Sequence, residues 1–78
     1  MDAQELNNVI AFQKNEITNH YLYLRLADTI KDAHNAGVIR EMAATEMNHY
    51  LFWKKISQVE VQPNHVFIFF PIMPIGDD

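Results

Sequence analysis

The chain has no cysteine. That one absence excludes disulfides, thiolate metal sites, four-thiolate iron centres and thiol catalysis. Glycine and proline are nearly as scarce, at two and three in 78 residues. The stretch from Asp2 to Asp32 contains neither, so nothing there punctuates a helix. Cations are few as well: six Lys and Arg against ten Asp and Glu leave a net charge of −4. A nucleic-acid surface needs clustered Lys and Arg, so that class is excluded. Nor is any apolar run long enough for a bilayer. The longest begins at Val66 and ends at Ile75, far short of the roughly 20 residues a transmembrane span needs, and Pro71 and Pro74 interrupt it. No charged-then-apolar leader opens the sequence, and the expected compartment is the cytoplasm.

What is there is helical. Apolar residues make up 49% of the chain, enough for one small domain near the lower limit at which a single core holds. Leu6, Val9, Ile10, Gln13, Ile17, His20, Leu24, Ala27 and Ile30 recur at spacings of three and four, the stripe of an amphipathic helix. A break follows over residues 32–37, with Asn35 as the expected N-cap and Gly37 in the first turn beyond it. A second helix is expected from Ala36 to Ser57, with Ile39, Met42, Ala43, Glu46, His49, Tyr50, Trp53 and Ile56 as its stripe. Lys54 and Lys55 close it, where positive charge complements the helix dipole. Two long helices on a short connection make an antiparallel hairpin, residues 1–57. Beyond it, Pro63, Pro71 and Pro74 forbid regular helix, so 58–78 reads as a non-helical apolar tail. Its apolar part packs on the chain itself by default, and is otherwise a contact for a partner or a membrane surface.

The sequence Glu46-Met-Asn-His49 carries the chemistry. Positions i and i+3 share a helix face, so carboxylate and imidazole point the same way, among apolar neighbours. A carboxylate on such a stripe is costly unless something pairs with it, and a metal ion would. Glu16 supplies a further carboxylate. At 1.5 Å per residue it lies roughly 24 Å from the turn, and Glu46 and His49 roughly 16 and 21 Å, within side-chain reach. One Glu plus one Glu-x-x-His is half the ligand set of a four-helix di-iron carboxylate site. The chain holds no second copy. Two helices cannot enclose a core either, and a homodimer of hairpins would complete both bundle and site.

The run Glu16, Tyr23, Leu26, Ala27, then Ala43, Glu46, His49, Tyr50 and Trp53, resembles the ferritin-like superfamily. It is most similar to the rubrerythrin group and to the ferritin-like domain that precedes some vacuolar-type iron transporters. The stretch from His49 to Ser57, continued by Val61-Gln-Pro-Asn64, is the most specific part. The resemblance covers roughly the first 64 residues. It implies an all-α fold, a hairpin dimerising into a ferritin-like four-helix bundle, with Glu16, Glu46 and His49 as metal ligands and Tyr23 beside them. It implies two iron ions per dimer, with Mn or Zn suited to the same donors. The family's second Glu and Glu-x-x-His pair is missing here. Short two-helix chains that build the site across a subunit interface, as in encapsulated ferritins, match that shortage.

Three flanking residues are singled out with the ligands. His20, at i+4 from Glu16, suits either an extra ligand or, more commonly, a hydrogen-bonded core histidine. Tyr23 is either plain core or a hydroxyl bonded to a ligating carboxylate. Gln13 lies one turn before Glu16. The expected function is binding and oxidation of Fe(II), a ferroxidase or rubrerythrin-type oxidoreductase. The alternatives are a non-catalytic iron-binding accessory or sensing module and a structural helical-hairpin oligomer.

Overall fold

The computed structural model describes residues 1–65 and contains two helices, α1 (Ala3–Thr29) and α2 (Ala33–Ser57). Their cross-contacts fall in reverse order: Gln13 meets Ser57, Glu16 meets His49, His20 meets Ala43, and Asp28 meets Arg40. The pair is therefore the antiparallel hairpin expected from the sequence. Of the expected non-helical tail, 58–78, residues 58–64 carry neither helix nor strand, and the apolar run from Val66 to Ile75 lies outside the described residues. No helix among the described residues is long and apolar enough to cross a membrane.

Each helix end has a local cause. Asp2 opens α1 with a capping box: its carboxylate accepts from the Glu5 N–H at 2.7 Å, and the Glu5 carboxylate accepts from the Asp2 N–H at 3.1 Å. At the other end Ile30 leaves helical geometry at φ −92°, ψ 121°. The N-cap of α2 is Asp32, not Asn35: the Asp32 carboxylate accepts from the Asn35 N–H at 2.8 Å. Both residue types cap well. Capping at Asp32 shortens the connection and adds a turn that buries Ala36. The last turn of α2 holds Lys54 and Lys55 and ends on Gln58 in the left-handed region, its N–H donating to the Lys54 carbonyl at 2.7 Å.

The seam between the helices is narrow. α1 contributes buried Val9, Gln13, Ile17 and Ala27, with His20 and Leu24 half-buried between them. α2 contributes Ala36, Ala43 and Tyr50, at steps of seven. Small residues on that line let the axes approach closely. The stripe expected on α2 is wider than this seam. Ala43 and Tyr50 are buried and Ile39, Glu46 and Trp53 half-buried, while Met42, His49 and Ile56 are exposed.

The two sides of the seam differ. On one, residues 58–64 carry neither helix nor strand and fold back along the hairpin as a strap. Gln13 Nε2 donates to the Val59 carbonyl at 2.8 Å, the Val61 N–H to the Tyr50 hydroxyl at 3.0 Å, and the Asn64 N–H to Thr18 Oγ1 at 2.8 Å. Pro63 is buried there beside Ile17, Tyr50 and Leu51. Nothing among the described residues covers the other side. Val38, Met42, Thr45, His49, Phe52 and Ile56 line its α2 edge at spacings of four and three, and all six are exposed. By helical phase Phe12, Glu16, Asn19, Tyr23 and Leu26 form the adjoining edge of α1.

Candidate metal centre

The three residues expected as ligands come together on this open side. His49 Nδ1 lies 3.7 Å from Glu46 Oε1 and 4.0 Å from Glu16 Oε1. The two carboxylates are one-fifth exposed, while the imidazole is just over half exposed. Helical phase explains the grouping. Glu46 and His49 are one turn apart on α2, and antiparallel packing brings Glu16 to their level.

Glu16 is the electrostatically strained member. Burial pushes its carboxyl above the ordinary value; the His49 imidazole opposes that, the Glu46 carboxylate adds to it, and the Trp53 indole opposes it least. Its Oε2 atom is buried and accepts no hydrogen bond. A buried, unsatisfied carboxylate oxygen costs free energy that a proton or a cation offsets. Glu46 is better supported, because Asn19 Nδ2 reaches its Oε2 at 3.4 Å.

The donor set suits a divalent first-row metal: two carboxylates and an imidazole. As the side chains stand, no group of three or more His, Asp or Glu among the described residues is arranged to hold one. Donors sharing a metal at bonds of about 2.0–2.2 Å sit roughly 3.0–3.4 Å from one another. The separations of 3.7 and 4.0 Å exceed this by a few tenths. Rotation of the half-exposed His49 ring covers such a gap. Residue types and the unsatisfied Glu16 oxygen fit a cation, and one chain offers three protein side chains toward it.

The flanking residues divide by partner. His20 Nδ1 is 2.7 Å from the Ala43 carbonyl, and since a carbonyl only accepts, Nδ1 carries the proton. That is the hydrogen-bonded core histidine of the two readings. Gln13 is fully buried and faces the strap: besides the bond to Val59 it accepts from Ser57 Oγ at 2.5 Å. Tyr23 is half-buried, and its hydroxyl makes no hydrogen bond to Glu16 or Glu46. Phe12 packs tilted and Phe52 edge-on against Trp53, at 5.5 and 5.0 Å between ring centroids, an aromatic cluster at the end of the site away from the turn.

Asn19 is the site residue that the sequence reading lacks. Its signal is its place three residues after Glu16, on the same face, where an amide can steady a carboxylate on α2. Comparison with protein-family models, with curated proteins and with solved structures found no match.

Proposed function

We propose that the hairpin is one protomer of a homodimer that completes a ferritin-like four-helix bundle, and that the shared site binds Fe(II) and oxidises it. One observation carries the reading: a buried, unbonded carboxylate oxygen of Glu16 stands beside Glu46 and His49 on a face that nothing else among the described residues covers. A two-fold copy would bring four carboxylates and two imidazoles together, the donor count of a di-iron site. Iron is here the substrate. Each Fe(II) gives up one electron, and a pair together supplies two to dioxygen or peroxide.

The chain's own residues have separate tasks. Glu16 and Glu46 neutralise cation charge in a partly dry site, where each attraction is stronger than in water. His49 supplies a nitrogen donor that favours iron, manganese or zinc over calcium or magnesium. Asn19 holds one oxygen of Glu46 and so limits the ways that carboxylate can turn. The Phe12, Phe52 and Trp53 cluster restricts water from one end.

Anaerobic titration with Fe(II), followed by admission of air, tests this directly. The expected result is uptake of about one iron per chain, then oxidation on exposure to oxygen, with both lost in Glu46→Ala and His49→Ala. No uptake, or uptake unchanged in those variants, sinks the proposal. Uptake without oxygen or peroxide consumption marks the accessory-module reading instead. A dimer whose melting temperature ignores metal marks the structural one.

A further inference from the structure

The strap lies across the seam from the metal centre, and its anchors sit at the level of the ligands. Gln13 and Thr18 bracket Glu16 on α1, and Tyr50 follows His49 on α2. We propose that residues 58–64 set the axial register of the two helices, with Gln13, Thr18 and Tyr50 as positioning residues for the site on the other side. This rests on the metal reading of Glu16, Glu46 and His49 and adds what holds them in line.

The first observation is the order of the anchors. The Val59 carbonyl accepts from Gln13 of α1, the Val61 N–H donates to Tyr50 of α2, and the Asn64 N–H donates to Thr18 of α1, at 2.8, 3.0 and 2.8 Å. The strap is also continuous with α2 through Gln58. It therefore stitches one helix to the other and back. Sliding α1 along α2 by one turn, about 5.4 Å, carries Gln13 and Thr18 away from Tyr50 and breaks the stitch.

The second is burial. Gln13 and Thr18 are the buried polar side chains among the described residues, at 0% and 8% exposure, and Tyr50 is 5% exposed. All three bond the strap. A buried polar group is costly when unpaired and directional when paired. These three commit that directionality to one short segment, beside the ligands in sequence and level with them in space.

The third is what the seam itself supplies. Ala36 and Ala43 are small side chains seven residues apart on α2, and apolar contact has no direction of its own. Such a surface slides at little cost. Of the direct bonds between the helices, Arg40 to Asp28 is exposed and weak, and Asn19 to Glu46 belongs to the site. His20 to the Ala43 carbonyl and Ser57 to Gln13 remain. The site tolerates little error. Its donors stand 3.7 and 4.0 Å apart, a few tenths beyond what a shared metal needs, and a slip of one turn would part Glu16 from His49 altogether.

Thr18→Val and Tyr50→Phe each remove one hydroxyl, keep the shape of the side chain and touch no ligand. In calorimetric titration with Mn(II), at a temperature where circular dichroism shows both folded, each should bind roughly tenfold or more weakly than wild type. Thr18→Ser should bind as wild type does. Asp32→Ala removes the N-cap of α2, away from the strap, so it controls for lost stability and should leave the affinity unchanged. By linkage, saturating Mn(II) should slow amide exchange at Val61 and Asn64 in wild type by about the same factor.

Wild-type affinity in either hydroxyl variant, an equal loss in Asp32→Ala, or exchange at those two amides that ignores Mn(II) overturns the proposal. If wild type binds no Mn(II), the metal reading falls, and register is then read without metal. The His20 Nδ1 proton, held by the Ala43 carbonyl, should exchange faster in both hydroxyl variants than in wild type. An unchanged rate there overturns the register role by itself.

Discussion

Glu16 faces His49 across the two helices at 4.0 Å, and the other oxygen of Glu16 is buried without a bond. The ionised form is therefore the costly one. Because the carboxyl sits above its ordinary value of 4.5, its favourable contribution is fully present below the unfolded value and is lost as pH rises through the folded one. Metal-free protein should lose stability over that interval. Glu16→Gln has no such titration, and above the interval it should be the more stable by on the order of 1 kcal/mol, ~4–8 °C in Tm. Thermal melts in chelator from pH 4 upward check this. A glutamine variant that melts below wild type at neutral pH would show that ionised Glu16 carries no burial cost.

Metal should reverse the ranking. A cation that binds only the folded chain stabilises it by about 2.7 kcal/mol at a hundred times Kd. Wild type should gain that with Mn(II), which isolates binding from oxidation, and Glu16→Gln, Glu46→Ala and His49→Ala should gain little. Asn19→Ala should still bind, with affinity lower by roughly tenfold or more, because its amide acts through Glu46. Isothermal titration separates the two classes. An unchanged Kd in Asn19→Ala would remove the residue from the site.

Much of this geometry was legible in the sequence, and the parts that were not have physical reasons. Spacings of three and four located both helices, because a stripe is a property of local order. They placed Glu16, Glu46 and His49 at one level, because rise per residue is constant. They did not separate the seam of α2 from its open edge. One broad stripe there covers both, and only Ala36 and Ala43, with their small volumes, mark the line on which the helices touch. The cap of α2 was misplaced by three residues, since Asp32 and Asn35 are equally good caps and tertiary burial of Ala36 decides between them. The fold-back of residues 58–64 depends on Gln13, Tyr50 and Thr18. Polar side chains in helices give no sequence signal for partners more than ten residues away.

The strap should be the least stable part of the hairpin. Its attachment centres on Gln13, whose amide bonds the Val59 carbonyl and the Ser57 hydroxyl. Gln13→Leu keeps the volume and removes both bonds, leaving two polar groups to find water. A loss of roughly 2–3 kcal/mol is expected, with faster amide exchange at residues 58–64 than in wild type. Exchange unchanged there would mean that the bonds to Tyr50 and Thr18 and the burial of Pro63 hold the strap without Gln13.

Glycine and left-handed backbone are mismatched in this chain, which offers a test of the helix ends. Gly37 sits inside α2, where a Cβ would meet nothing within 4 Å. Alanine there should stabilise by about 1 kcal/mol through helix propensity and a less disordered unfolded chain. Gln58 is the reverse case: it holds φ 59° at the C-terminus of α2, a region glycine enters without a Cβ penalty of roughly 1 kcal/mol. Gln58→Gly should gain less than that penalty, because glycine also frees the unfolded chain. The sites lie at opposite ends of α2, so their effects should add, to about 1–2 kcal/mol and ~4–16 °C together. Metal affinity should not move, since neither residue touches Glu16, Glu46 or His49. A Gly37→Ala variant less stable than wild type would put the start of α2 at Asn35 after all, with Gly37 in a first turn that needs its freedom.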